Sequence, residues 1–300
     1  MGGADARAGL HGSHAFDRHR HVDNDAVALF DAARLQTVGE LAGLFIQFLV
    51  AAMLVILGDI RLTSLYGILG VNELPYLISA VISILFIVLI VNAFNLIDGI
   101  DGLAGTTCII ANSTLAALFI FTKDYELAAI SLTIVGSVAG FLRFNLTPAK
   151  IFMGDTGSLL IGLISAVMAI KFVEVNKVIE GKDHIIAGAP ALAFAILIGP
   201  IFDTLRVFTL RILKGISPFT ADRNHIHHRM LRLGYNHMQT TFILGFINLL
   251  SISMVLLFTG LGNFTLILII LGNSLLFNWG ITFCLRSKER NAFALRNLFV

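Results

Sequence analysis

Residues 75–94 read PYLISAVISILFIVLIVNAF, twenty positions without a charged side chain. A helix of this length rises about 30 Å, which matches the hydrocarbon thickness of a bilayer. The run is continuously apolar rather than alternating, which favours a helix over a strand. Backbone groups in lipid must be bonded within the protein, so helices and closed barrels are the only spanning structures. This stretch therefore predicts a transmembrane α-helix.

The composition of the whole chain indicates a polytopic membrane protein. Of its 300 residues 57% are hydrophobic and 13% are charged, with a net charge of +2. Soluble domains average about 45–50% apolar and about 25% charged residues. The small net charge does not indicate nucleic acid as a partner. We predict an all-α transmembrane bundle of about eight spans, namely 38–57, 75–94, 103–121, 127–142, 157–173, 187–205, 240–258 and 263–284.

The distribution of Lys and Arg predicts the orientation of the chain. With a cytoplasmic N-terminus, 16 of the 21 Lys and Arg residues fall on the cytoplasmic side, as the positive-inside rule requires. We predict a polar tail over 1–34, a transmembrane domain over 35–285 and a cytoplasmic tail over 286–300. The four histidines of the first tail could bind a metal, but its polar composition favours a disordered segment.

The first polar cluster is NAFNLIDGIDGLAG, residues 92–105. Asp98 and Asp101 are three positions apart, so both carboxylates share one helical face. Asn92 and Asn95 repeat that spacing one turn earlier. Carboxylates at membrane depth usually line a polar cavity or bind an ion. Helix capping is the alternative, but four such side chains exceed what capping needs.

The second cluster is FNLTPAKIFMGDTGSLLIG, residues 144–162. Asp155 precedes two hydroxyl residues and a glycine at the predicted start of a span. A helix N-terminus favours anions, and Mg²⁺ binds one or two carboxylates together with phosphate oxygens. The pattern therefore suits a magnesium-bound phosphate, although Asp155 could equally be a helix N-cap.

The third cluster is DRNHIHHRMLRLG, residues 222–234. His225, His227 and His228 lie within four positions, and Arg229 follows directly. Basic neighbours repel a cation, so recognition of a polyanion is favoured over zinc binding. A basic interfacial loop attracted to anionic lipid headgroups is the alternative.

All three clusters fall on the predicted cytoplasmic side, although Asp, Asn and His did not enter the Lys and Arg count. Acids that hold Mg²⁺ and bases that grip a diphosphate suit phosphoryl transfer, in which positioning and charge neutralisation dominate. The position at the bilayer surface predicts a lipid phosphate as the acceptor.

Two motifs carry a family resemblance. NLIDGIDGLAG at 95–105 and FMGDTGS at 152–158, together with the histidine-rich loop, resemble the polyprenyl-phosphate N-acetylhexosamine-1-phosphate transferases over about residues 36–285. The resemblance implies Mg²⁺-dependent transfer from a UDP-N-acetylhexosamine to undecaprenyl phosphate, which releases UMP and starts a cell-surface polysaccharide. The form H-x-H-H-R at 225–229 is similar to the GlcNAc branch. The resemblance also implies a bacterial inner-membrane protein with a cytoplasmic active site, and a homodimer is left open.

The resemblance also implies roles for individual residues. It predicts Asp98, Asp101 and Asp155 as catalytic residues, and Asn95 and Asp155 as metal ligands. The residues that it predicts to bind substrate are Asn92, Asn145, Phe152, His225, His227, His228 and Arg229. Among these, Phe152 is expected to stack on uracil.

The chain departs from this family at one point. The family has a paired aspartate motif before the span that matches 38–57, and this chain contains no adjacent Asp pair. We therefore predict an N-terminally truncated member, with an inactive remnant of the family as the alternative. A transporter is a less favoured alternative, because transporters place their polar groups near the membrane midplane.

Overall fold

The computed structural model describes residues 39, 41–178, 186, 188–215 and 224–298. The chain divides into two compact units, 1–50 and 51–300, and the predicted tail 1–34 lies outside the described residues. Within those residues the structure is helical, with one isolated bridge between Ser64 and Glu73, which confirms the predicted all-α class. The helices are α1 Leu41–Ile56, α2 Tyr76–Ile97, α3 Leu103–Phe121, α4 Tyr125–Asn145, α5 Gly154–Val178, α6 Ala189–Ile196, α7 Ile198–Leu213, α8 Ile226–Leu233, α9 His237–Leu257 and α10 Asn263–Leu298.

Six of the described helices, α2, α3, α4, α5, α9 and α10, are long and apolar enough to cross a bilayer. The pair α6 and α7 is bent by 72° and would give a seventh span if counted as one. The described part of α1 is a shorter apolar helix. The described residues thus contain six or seven spans, where the sequence predicted about eight.

A break interrupts the segment predicted as one straight span over 187–205. The structure ends α6 at Ile196 and begins α7 at Ile198. Pro200 explains the break, because proline has no N–H to donate to the carbonyl of the residue four positions earlier, which is Ile196. At the other end of the chain, the predicted boundary at 285 falls inside α10, which continues to Leu298.

One glycine, Gly162, lets α2 and α5 come into close contact. A Cβ added at Gly162 of α5 would lie 3.0 Å from Phe94 Cβ and 3.0 Å from Val91 Cα of α2. Small residues at such positions let helix backbones approach in a membrane. The end of α2 carries the first polar cluster and the start of α5 carries Asp155, so this contact sets the separation of two candidate site segments.

We expect Gly162→Val to destabilise the folded protein by about 1–3 kcal/mol, since the added side chain overpacks the contact with the α2 backbone. Denaturation in mixed micelles measures the change. Gly136→Val is the matched control, because nothing lies within 4 Å of a Cβ at Gly136. Equal stability losses in the two variants would contradict the close contact.

Candidate active site

The side chain of Asn145 joins the first two polar clusters. The backbone N–H of Gly102 donates to Asn145 Oδ1 at 3.0 Å, and Asn145 Nδ2 donates to the carbonyl of Ile151 at 2.8 Å. Gly102 has a φ of 77°, a left-handed conformation that glycine adopts without strain. The turn between α2 and α3 therefore lies against the loop between α4 and α5.

Asp101 extends this connection to the start of α9. Its Oδ2 accepts from the backbone N–H of Ala149 at 3.3 Å, and its Oδ1 lies 3.2 Å from His237 Nδ1. Its carbonyl accepts from Thr241 Oγ1 at 3.1 Å. Both carboxylate oxygens of Asp101 thus contact groups from other segments. Through these contacts Asp101 connects the α2–α3 turn, the α4–α5 loop and α9.

Asn95, Asp98 and Asp155 lie where α2 ends and α5 begins. Ser158 Oγ of α5 donates to Asn95 Oδ1 at 2.6 Å. Burial, and next the negative charge of Asp155, raise the pKa of Asp98 to about 6. The Ser158–Asn95 hydrogen bond holds the end of α2, which Asp98 caps, against the first turns of α5, which carry Asp155. Asp155 itself is exposed in the first turn of α5.

The donor set of this acidic pair suits a hard cation. Two carboxylates and the amide oxygen of Asn95 are ligands that Mg²⁺ accepts. Within the described residues, no group of three or more His, Cys, Asp or Glu side chains is placed to hold a metal ion. A cation here would therefore need oxygen ligands from water or from substrate phosphates, which is usual for Mg²⁺.

A buried carboxylate that the sequence analysis did not single out holds the third cluster. Asp203 of α7 is 4% exposed. Its Oδ2 lies 3.1 Å from His225 Nδ1, and its Oδ1 accepts from the backbone N–H of Ile226 and from Arg206, each at 3.0 Å. The sequence could have identified Asp203 as a site residue by its position inside the apolar segment 187–205, because carboxylates in such segments are rare and usually functional.

His227 places the third cluster against the first. A Cβ added at Gly99 would lie 2.7 Å from His227 Nε2, so only glycine leaves room for the imidazole. The His227 ring centroid lies 5.7 Å from that of His225 and 4.2 Å from that of His228. Burial is the main cause that lowers the pKa of His227 to about 3. The imidazole is therefore neutral at physiological pH.

The three predicted clusters meet at one end of the bundle. We call this end the site face and define it by residues 95–102, 145–158 and 225–237.

Three of the predicted substrate-binding residues differ in their exposure and in the groups that they contact. Arg229 is buried and donates to Asn278 and Thr282 of α10. Asn92 Nδ2 donates to Val88 O within α2 at 2.8 Å, and Phe152 is 78% exposed. Their substrate-binding roles stay predictions.

Comparison with known proteins supports the predicted family resemblance. Residues 29–173 match the family model described as Glycosyl transferase family 4. The matched region, somewhat less than half of the chain, is similar to that family. The match contains the first two motifs of the sequence analysis and confirms the predicted resemblance.

Three proteins that are similar to this chain have names that describe related transferases. The chain is 34% identical over 209 residues to an undecaprenyl-phosphate alpha-N-acetylglucosaminyl 1-phosphate transferase of Haemophilus influenzae, covering 68% of this chain and 57% of the relative. It is 34% identical over 152 residues to a probable undecaprenyl-phosphate N-acetylglucosaminyl 1-phosphate transferase of Bacillus subtilis, covering 50% and 40%. It is also 35% identical over 123 residues to a decaprenyl-phosphate N-acetylglucosaminephosphotransferase of Mycobacterium leprae, covering 40% and 31%. The matched regions span between about a third and somewhat more than half of these relatives.

We expect Asp203→Asn to destabilise the protein by about 3 kcal/mol, because removing one partner of a buried ion pair leaves Arg206 uncompensated. Denaturation in mixed micelles measures this loss. Asp59→Asn is the matched control: Asp59 pairs with Arg61, and its side chain is 72% exposed. Such a pair contributes less than about 1 kcal/mol. Similar losses in both variants would show that Asp203 is not the anchor of α8.

We expect acid to destabilise the folded state through His227. An unfolded chain protonates this imidazole near its usual pKa of about 6.5, whereas the folded chain does so only near a pKa of about 3. The stability is thus fully present above about pH 6.5 and is lost as the pH falls towards 3. Unfolding of the native chain and of His227→Gln, compared at pH 7.5 and pH 5, measures this. Equal acid losses in the two proteins would refute the assignment.

Proposed function

We propose that this chain transfers N-acetylhexosamine 1-phosphate, with GlcNAc 1-phosphate as the favoured group, from a UDP-sugar to undecaprenyl phosphate. UMP leaves, and the lipid-linked sugar starts a cell-surface polysaccharide. One observation carries the proposal. The acidic pair Asp98 and Asp155 lies at the same end of the bundle as His227, which contacts the turn at Gly99. The names of these relatives, all polyprenyl-phosphate GlcNAc phosphotransferases, support the chemistry.

Mg²⁺ would be held by Asp155 and Asn95, with Asp98 beside them. When bound, it would supply positive charge to neutralise the diphosphate of the donor. The raised pKa of Asp98 supports this proposal, because burial and, next, the charge of Asp155 disfavour its ionised form, and a bound cation would favour that form again. The exposure of Asp155 leaves that carboxylate accessible to an arriving ligand.

The other site residues would position the substrate. Neutral His227 can donate or accept one hydrogen bond beside the turn at Gly99, and Asp203 fixes the start of its helix through His225 and Ile226. Asp101 and Asn145 keep the α2–α3 turn and the α4–α5 loop in register. Transfer of a phosphoryl group depends mainly on such positioning together with charge neutralisation.

The membrane position fits a lipid acceptor. The site face lies at the ends of α2, α4 and α5, three of the spanning helices, where a lipid phosphate and a soluble nucleotide sugar can meet. We assign this face to the cytoplasmic side of a bacterial inner membrane, because Lys and Arg concentrate there.

Transfer of radiolabel tests the proposal directly. The full chain is purified in detergent and incubated with UDP-[¹⁴C]GlcNAc, undecaprenyl phosphate and MgCl₂, and the label in the lipid extract is counted. We expect label in the lipid, and a loss of at least about 100-fold in Asp155→Asn, since a group that stabilises transition-state charge contributes this much. Chelation of Mg²⁺ should abolish the transfer.

The matched control is Asp124→Asn. Asp124 caps α4 at the end opposite Asn145, where its side chain accepts from the N–H of Leu127, and Asn caps a helix equally well. This variant should keep the native rate. A native chain that binds UDP-GlcNAc without labelling the lipid would identify an inactive remnant of the family. Native turnover in Asp155→Asn would remove the metal assignment.

A further inference from the structure

One side of α10 carries a row of exposed side chains that changes in character along the helix. Its positions are spaced by three, four or seven residues and so share one helical face, namely Leu268, Leu275, Trp279, Phe283, Arg286 and Arg290. The first four are 52–65% exposed, and both arginines are exposed too. α10 is also the least buried of the six described spanning helices. This row, which we call the α10 stripe, therefore faces outwards from the bundle.

The order of side chains along the α10 stripe matches the layers of a bilayer. A span of about 20 residues that begins at Asn263 ends near Phe283. Tryptophan is enriched where hydrocarbon meets headgroups, and the rings of Trp279 and Phe283 stack with centroids 5.8 Å apart. Arg286 and Arg290 lie about 10 Å and about 16 Å beyond Trp279 along the axis. Helix side chains tilt towards the N-terminus, here back towards the membrane, so both guanidinium groups can reach the headgroup layer.

The charged residues between the two arginines are held by α8. Lys288 Nζ donates to the carbonyls of Arg232 and Leu233 at 2.9 and 3.0 Å, and so satisfies the C-terminal end of α8. Glu289 Oε1 accepts from Arg232 at 2.9 Å. These bonds fix the end of α10 beside α8 and therefore at the site face.

Arg286 and Arg290 have no such partners. Neither guanidinium makes a hydrogen bond or an ion pair within the part of the chain that the structure describes. Together with Phe283 and Glu289 they line an open groove on the surface of α10, and Arg232 compensates the charge of Glu289. The groove thus offers two uncompensated positive charges next to an aromatic surface.

A phospholipid with a negatively charged headgroup has the complementary chemistry. Its phosphate accepts charge-assisted hydrogen bonds from arginine, and its acyl chains can lie along the apolar part of the stripe. The cytoplasmic leaflet carries a negative surface potential that attracts basic segments beside a span. A second copy of the chain fits less well. A two-fold axis along the membrane normal would bring the same two arginines of both copies to one depth, where like charges repel.

We propose that the α10 stripe binds an anionic phospholipid. Arg286 and Arg290 hold the headgroup phosphate, while the acyl chains pack against Phe283 and Trp279. The lipid site lies outside the residues that define the site face, and it does not depend on the proposed transfer reaction. Because the same end of α10 holds α8, the bound lipid lies beside the helix of the histidine loop.

Quenching of fluorescence by brominated lipids tests the proposal, because Trp279 is the only tryptophan of the chain and belongs to the stripe. The full chain is reconstituted in phosphatidylcholine vesicles with rising fractions of brominated phosphatidylglycerol, or of brominated phosphatidylcholine as the neutral reference. We expect the relative binding constant to favour phosphatidylglycerol at least about fivefold, the factor that one basic side chain gives at an anionic surface. The preference should fall at about 1 M salt, where the screening length is about 3 Å.

Arg286→Gln/Arg290→Gln should abolish this preference, so that both lipids quench equally. Arg286→Lys/Arg290→Lys keeps both charges and should retain a preference. The matched control is Arg143→Gln/Lys150→Gln, which removes the same charge from exposed residues at the end of α4 and in the loop after it, and should behave as the native chain does. Thermal unfolding verifies that each variant is folded. If the double glutamine variant is not folded, each single glutamine substitution should still lower the preference.

Equal quenching by the two lipids in the native chain would overturn the proposal, as would a preference that persists in the folded glutamine variants. Protection of Trp279 from both lipids would also overturn it and would indicate that a second copy covers the stripe. The outcome is separate from that of the proposed function. A native chain that prefers phosphatidylglycerol but does not label undecaprenyl phosphate would refute the proposed function alone.

Discussion

Polar groups at the end of an apolar bundle must find partners, and in this chain those partners lie on other segments. Asn145 bonds to the α2–α3 turn, Asp101 to the α4–α5 loop, and Asp203 to the start of α8. An unpaired buried polar group costs about 1–3 kcal/mol. The bonds that satisfy these groups therefore also bring distant stretches of sequence to one place.

The electrostatics of the site face are asymmetric. Its acids are partly exposed, and the charge of Asp155 contributes to the raised pKa of Asp98. Its central histidine is buried and neutral, and the neighbouring Arg229 donates to α10 instead of facing the acids. The described basic groups thus leave the acidic pair without a direct partner. An incoming cation would supply that charge, and the proposed function assigns this role to Mg²⁺.

The sequence alone could predict the helical class, because runs such as 75–94 have no other stable form in a bilayer. It could also predict that the three clusters share a face, since the distribution of Lys and Arg places the loops that carry them on one side of the membrane. The break at Leu197 was missed, because hydropathy averages over Pro200. Asp203 was missed because it lies inside a predicted span rather than in a loop.

The bonding of individual site residues could not be predicted from spacing. Asp101 and Asn145 were predicted to act on substrate, and the structure gives both of them bonds that join loops. Such bonds depend on which segments become neighbours in the fold. Sequence spacing reports only which residues are neighbours along one helix.

The meeting of the first and third clusters is the central claim, and cysteine cross-linking in native membranes tests it most directly. The two natural cysteines, Cys108 and Cys284, are replaced by alanine, and Gly99→Cys is combined with His227→Cys. A short bifunctional thiol reagent should cross-link this pair. It should not link Gly99→Cys to Gly260→Cys in a chain that also carries His227→Ala, which removes the imidazole that a side chain at position 99 would meet. Gly260 lies beyond α9 at its other end. Equal cross-linking of both pairs, or none between positions 99 and 227 when both thiols react, would contradict the account.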